Sequence, residues 1–195
     1  INASNLTIAE NSAIGTVIGE FNATDPDGDT NITFSLVPPL PSDLNLSLWL
    51  DASPLTSAES FWEDLSGAGN NAEKHGSPTV IPNAQNGLSL MRYSGASDEY
   101  HSFSRLTDVR TVFWVTNRVG MDGESRFLLG DSTSFNFHSN GRMFWHSSVN
   151  AGQFIKSGTT RLNGIVINGQ TTYMPSDLAV ISLKTTGSVS ASSFS

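Results

Sequence analysis

Apolar residues recur at every second position, in short sets, along most of the chain. Leu6 and Ile8, then Ile18, Phe21 and Ala23, form the first sets, Gly15-Thr16 separates them, and Asn31–Val37 (NITFSLV) supplies a third. Alternation on this scale predicts half-buried β-strands joined by turns. Three strands make too thin a sheet to stand alone, so this stretch is expected to dock on the neighbouring domain. Pro38, Pro39 and Pro41 remove ladder donors and hold the chain extended, which marks residues 38–44 as a linker between a short β segment (1–37) and a larger domain (45–195).

In the larger domain the same pattern predicts strands at Leu46–Leu50, Leu88–Tyr93, His101–Leu106, Arg110–Asn117, Arg126–Gly130, Ser134–His138, Arg142–His146, Gln153–Lys156, Gly164–Ile167, Gln170–Met174 and Leu178–Lys184. No amphipathic helix emerges. Strands this dense, separated by Gly, Asn and Ser, predict an all-β protein built as an antiparallel β-sandwich of jelly-roll type. Leu48–Leu50, Val112–Val115 and Ile165–Ile167 are expected to contribute to its two-layer core.

Charge narrows the partners. Ten basic against eighteen acidic residues give a net charge of -8, which argues against nucleic acid and anionic membranes. No apolar run approaches the roughly 20 residues of a membrane span. With no cysteine, neither a disulfide framework nor a thiolate metal site exists, and stability rests on packing and bound cations. Ile1 opens directly on strand-like sequence, as expected of a mature segment cut from a longer precursor.

Asp25, Asp27 and Asp29 carry the strongest chemical signal. Three carboxylates within five residues repel unless a cation sits among them, and hard oxygen ligands in a Gly-containing turn suit Ca²⁺. An EF-hand is excluded, because Thr30 stands where its glycine belongs and Leu36 where its last glutamate belongs. A solvated acidic turn is the plain structural alternative. Farther on, Asn140-Gly141 lies between alternating residues, a hairpin signal. Asn136, His138 and Trp145 on that hairpin form a candidate platform for stacking a sugar ring, against the simpler reading of ordinary sheet packing. Trp49 and Trp62 read as core residues, and Asp64-Leu65-Ser66-Gly67 as a turn whose side chains satisfy backbone amides. Catalysis finds no support: Glu59, Glu63, Glu73, Glu99 and Glu124 lie in turn-like segments without the paired-carboxylate spacing of a glycosidase.

Two resemblances add to this reading. Glu10-Asn11, Gly15-Thr16 and Asp25-Pro26-Asp27-Gly28-Asp29 resemble the opening of a cadherin-type repeat, which implies calcium at Asp25 and Asp27 and, at the other end of the repeat, at Glu10. The ordered set LWLDA (48–52), FWEDLSGAGNNA (61–72), NGLSLMRYSG (86–95), TVFWV (111–115), FLLGD (127–131) and INGQ (167–170) resembles laminin-G and concanavalin A-like lectin/glucanase domains of bacterial surface proteins. The Gly-x-x-Ala-Glu strand that closes such sandwiches does not appear by Ser195, so a closing strand is expected to be lacking. Together these imply a non-catalytic, secreted or cell-surface module for adhesion or for binding polysaccharide or cell-surface glycan, with Ca²⁺ as a structural ion. The alternative is a structural subunit that joins neighbouring copies of itself by strand exchange.

Overall fold

The computed structural model describes residues 2–3, 21–22, 44–120, 127–134, 136–147 and 151–195. The chain divides into two compact units, Ile1–Leu40 and Pro41–Ser195. In the first, β1 (Asn2–Ala3) pairs antiparallel with β2 (Phe21–Asn22), Ala3 facing Phe21.

The second unit follows the order β3 (Phe61–Trp62), β4 (Ala72–His75), β5 (Thr79–Gln85), β6 (Leu88–Arg92), β7 (Tyr100–Thr116), α1 (Gln153–Lys156), β8 (Thr159–Leu162), β9 (Ile165–Ile167) and β10 (Ala179–Phe194). Six strands form one antiparallel sheet in the order β3-β4-β7-β10-β8-β9, and β5 with β6 forms a separate hairpin. The fold is all-β and antiparallel, as the alternation predicts.

The long strands β7 and β10 hold the sheet together. Ile181 faces Trp114 and Leu183 faces Val112, all four turned toward the core. Phe113 and Val115 point the other way, 71% and 67% exposed. Of the residues expected in the core, Leu48, Leu50, Val112, Trp114 and Ile167 pack there, while Phe113, Val115, Ile165 and Val166 do not. A strand shows alternate residues to opposite faces, so the runs at 112–115 and 165–167 are split.

Several predicted elements change form. His101–Leu106 and Arg110–Asn117 are one strand, because the register against β10 shifts three times and the irregularities look like a turn in the sequence. β10 runs ten residues past Lys184. The irregular stretch there is tied down by Thr185, whose hydroxyl donates to the Gly187 carbonyl at 2.7 Å and reaches the Arg110 carbonyl at 3.2 Å. Gln153–Lys156 is a single helical turn, not a strand. Only Ile155 of that segment is buried, and so short an apolar pair cannot distinguish the two periods. Leu46–Leu50 forms no ladder, since the Trp49 backbone bonds instead to Leu65 and to the Asp64 side chain. Gly164–Ile167 forms as expected, as β9, but the strands expected at 126–130, 134–138, 142–146 and 170–174 reduce, among the described residues, to isolated bridges: Phe127 with His138, Gly130 with Ser193, Phe137 with Ala151, Asn140 with Met143 and Met143 with Tyr173.

A polar residue sits inside the apolar end of the sheet. His101 is fully buried, stacked on Phe194 at 5.5 Å and edge-on to Trp62 and Tyr93. Its Nδ1 meets the Tyr93 hydroxyl at 2.7 Å, and its Nε2 has no partner among the described residues. Burial, helped by the nearby His75 and Lys74, pushes its pKa down from 6.5 to about 4. Between those values the unfolded chain binds the extra proton, so the contribution is complete above pH 6.5 and is lost as pH falls toward 4. The loss at pH 4 is about 3 kcal/mol. Melting temperatures across this range should therefore fall steeply with acid in the natural protein, and the fall should flatten in His101→Phe.

Candidate functional site

Where β7 meets the end of β10, the ladder is irregular. Ser193 faces Ser102 and Ala191 faces Leu106, so β7 has two extra residues in the interval. A bulge of this kind bends its strand and re-aims side chains. Here it turns Arg105 toward the segment 127–134. That segment docks on β10 through paired backbone bonds: Gly130 N–H donates to the Ser193 carbonyl at 2.6 Å, and Ser192 N–H donates to the Gly130 carbonyl at 2.8 Å. A Cβ at 130 would lie 2.8 Å from Ser193 Oγ, so a larger residue there requires that hydroxyl to turn aside.

The result is a cleft of about 400 Å³, lined by Tyr100, Ser102, Phe103, Arg105, Ser132, Ser192 and Ser193. Its polar groups are positioned from behind. His75 stacks on Tyr100 at 4.2 Å, and its Nε2 meets Ser102 Oγ at 2.7 Å. Ser132 N–H donates to Ser192 Oγ at 2.9 Å. Arg105 grips Asp131 with two donors, Nε to Oδ1 at 2.7 Å and Nη2 to Oδ2 at 3.1 Å, while Nη2 also reaches Thr133 Oγ1 at 2.9 Å. Thr133 and Ser134 hydroxyls donate to Asp131 Oδ2 at 2.8 and 2.9 Å. Four donors thus converge on one carboxylate whose side chain is 0% exposed, against 39% for Arg105. The Arg105 hydrogen bond above all, with the two hydroxyls, holds the Asp131 carboxyl far below the usual carboxylate range. Three of the four donors fall on Oδ2 and one on Oδ1, and with its pKa held this low Asp131 stays ionised and is a weak base. Seven cleft-lining side chains, two rings and five hydroxyls among them, form a surface suited to a polyhydroxylated ligand.

The hairpin platform needs correction. Trp145 is 1% exposed, and its indole Nε1 donates to Thr160 Oγ1 at 2.8 Å deep in the core, among Trp114, Phe137 and Phe144. It presents no face to a sugar. Phe144 is buried as well, so the alternation that would place Trp145 on an open face fails at this pair. Asn136 spends its amide on β10, Nδ2 donating to the Ser190 carbonyl at 3.0 Å. His138 stacks on Phe127 at 4.5 Å, and burial, with His146 nearby, lowers its pKa. The three residues do not form a common surface. The turn itself is present: Met143 N–H donates to the Asn140 carbonyl at 3.0 Å, with Gly141 at φ 57°. Phe135 lies outside the described residues.

Glu10, Asp25, Asp27 and Asp29 also lie outside the described residues. Among the described residues, no three His, Asp or Glu side chains group as a metal site would require. Asp64 does what its turn predicts, its carboxylate accepting from backbone amides. Comparison with known protein families, curated proteins and solved structures returned no match. The cleft residues escape a reading of the sequence for a physical reason. Ser192 and Ser193 sit in a Ser-rich run that resembles a loose tail, and Arg105 reaches Asp131 only through the bulge.

Proposed function

We propose that this protein is a non-catalytic carbohydrate-binding module of a secreted or cell-surface protein, acting in adhesion, and that the β7–β10 cleft takes the sugar. The observation that carries this reading is the cleft lining: four serine hydroxyls and an arginine beside Tyr100 and Phe103. Hydroxyls exchange hydrogen bonds with a sugar in either direction, and the half-buried ring of Tyr100 can cover an apolar C–H face, while Phe103 is buried in the core behind it. The lowered pKa of Asp131 supports binding without chemistry, since the carboxylate beside the cleft arginine has no proton to give and is a weak base. Calcium belongs to the proposal as a structural ion held by Asp25, Asp27 and Asp29, on the sequence grounds of mutual carboxylate repulsion, with Glu10 binding calcium at the other end of the repeat as the cadherin resemblance implies.

A second reading has its own observation. β9 lies at the edge of the sheet, with Ile165 72% and Val166 58% exposed, the kind of edge that pairs with another chain unless it is covered. On this reading the protein is a subunit of a surface assembly that grows by strand exchange.

Isothermal titration of the full chain against soluble polysaccharides, with and without millimolar calcium, tests the first reading. Binding is expected without release of reducing ends, and Tyr100→Ala should weaken it about tenfold, the loss of one stacking contact. Binding that survives Tyr100→Ala unchanged would move the site elsewhere. Sedimentation of the same samples separates the readings: a monomer that binds glycan favours the first, and a ladder of assemblies without glycan binding favours the second.

A further inference from the structure

We infer that the cleft selects an uncharged sugar and rejects acidic ones such as uronates and sulfated glycans. This inference rests on the carbohydrate reading above. Arginine in a binding cleft ordinarily invites an anion, because its fork matches carboxylate and sulfate. Here the fork is already filled. Nε and Nη2 of Arg105 are both given to Asp131, and Thr133 adds a second acceptor for Nη2. Nη1 is left to serve the cleft, as a donor without net charge behind it, because the buried carboxylate cancels the guanidinium at contact distance.

The rest of the lining supplies no compensating cation: Tyr100, Ser102, Phe103, Ser132, Ser192 and Ser193 are all uncharged. Over the whole chain the net charge is -8, so an anionic polymer approaches against a repulsive field. Nη1 of Arg105 and the serine hydroxyls together can still bond the hydroxyls of a neutral sugar. The Asp131 pairing acts as the specificity element: it fixes the plane of the guanidinium and masks its charge.

The test is a titration panel with the full chain, using a neutral β-glucan, a mannan and a galactan against alginate and heparin, each at low and at high sodium chloride. Binding is expected to at least one neutral polymer, with a dissociation constant that changes less than about twofold between the two salt concentrations. Arg105→Met should weaken that binding about tenfold or more. Asp131→Asn, which unmasks the guanidinium, should open binding to alginate or heparin, and that new binding should weaken with salt. Should Asp131→Asn fail to fold, the salt dependence of the natural protein still decides. Binding confined to the acidic polymers, or neutral binding indifferent to Arg105→Met, overturns the inference and leaves the carbohydrate reading standing. No binding to any polymer overturns both.

Discussion

Trp145→Ala is expected to destabilise the protein by about 3–5 kcal/mol, the range for emptying a buried aromatic site. The indole touches Trp114, Phe137 and Phe144, and Thr160 accepts from its N–H. The site has little room to collapse around a smaller residue. Gly169 lies so close that a Cβ there would run into the indole of Trp145, and its carbonyl accepts from the Trp145 backbone N–H at 2.9 Å. Total stabilities of single domains are only about 5–15 kcal/mol, so much of the fold's margin disappears with this one side chain. Trp145→Phe keeps most of the apolar volume and gives up the bond to Thr160, for a loss of about 1–2 kcal/mol. Urea unfolding of the three proteins checks the order. An alanine variant within about 1 kcal/mol of the natural protein would place the ring at the surface after all.

Asp64→Ala is expected to be comparably severe, about 3–4 kcal/mol, because hydrogen bonds to a charged acceptor contribute more than neutral ones. The Asp64 Oδ1 accepts from Trp49 N–H at 2.9 Å and Ser66 N–H at 3.0 Å, and Oδ2 accepts from Ser66 Oγ at 2.8 Å and Asn70 N–H at 2.9 Å. One buried carboxylate therefore satisfies three backbone amides from three points along the chain. Burial alone would raise its pKa, but the amides of Trp49, Ser66 and Asn70 and the Ser66 hydroxyl outweigh that and lower it. Its contribution is accordingly present above the unfolded carboxyl range and lost as pH falls below it. Asp64→Asn keeps one acceptor and turns the other into a donor facing Asn70 N–H, so it should fall between the natural protein and the alanine variant in chemical denaturation. An alanine variant that melts with the natural protein would show that water replaces the carboxylate freely.

The Asp64 knot is legible in the sequence because its logic is local: Asp, Ser and Gly within a few residues answer a few amides. Alternation reveals the class of fold for the same reason, since facing is decided one residue at a time. What stays hidden depends on pairs far apart. The three shifts of register between β7 and β10 have no trace in either strand alone, so one strand reads as two and the tail of β10 is missed. Phe144 and Trp145 are both buried in a segment held by single bridges, where no period governs which side chain turns inward. That is why the hairpin looks like a sugar platform in the sequence and is core in the structure. The cleft stands on the least legible feature of all, a bulge that brings Arg105 to Asp131.

The pairing of β7 with β10 also sets when the protein can become itself. Its partners lie between about 60 and about 90 residues apart along the chain, so no early local contact substitutes for them. While the chain is being made, β7 emerges from the ribosome long before its mate, and β8, which sits between β10 and β9, waits as well. The sheet therefore closes only once β10 has been made, with its apolar strands open until then. This delay leaves the unpaired edges of β7 open to other chains. It also makes the interval before Phe194 arrives the time when a chaperone is most needed.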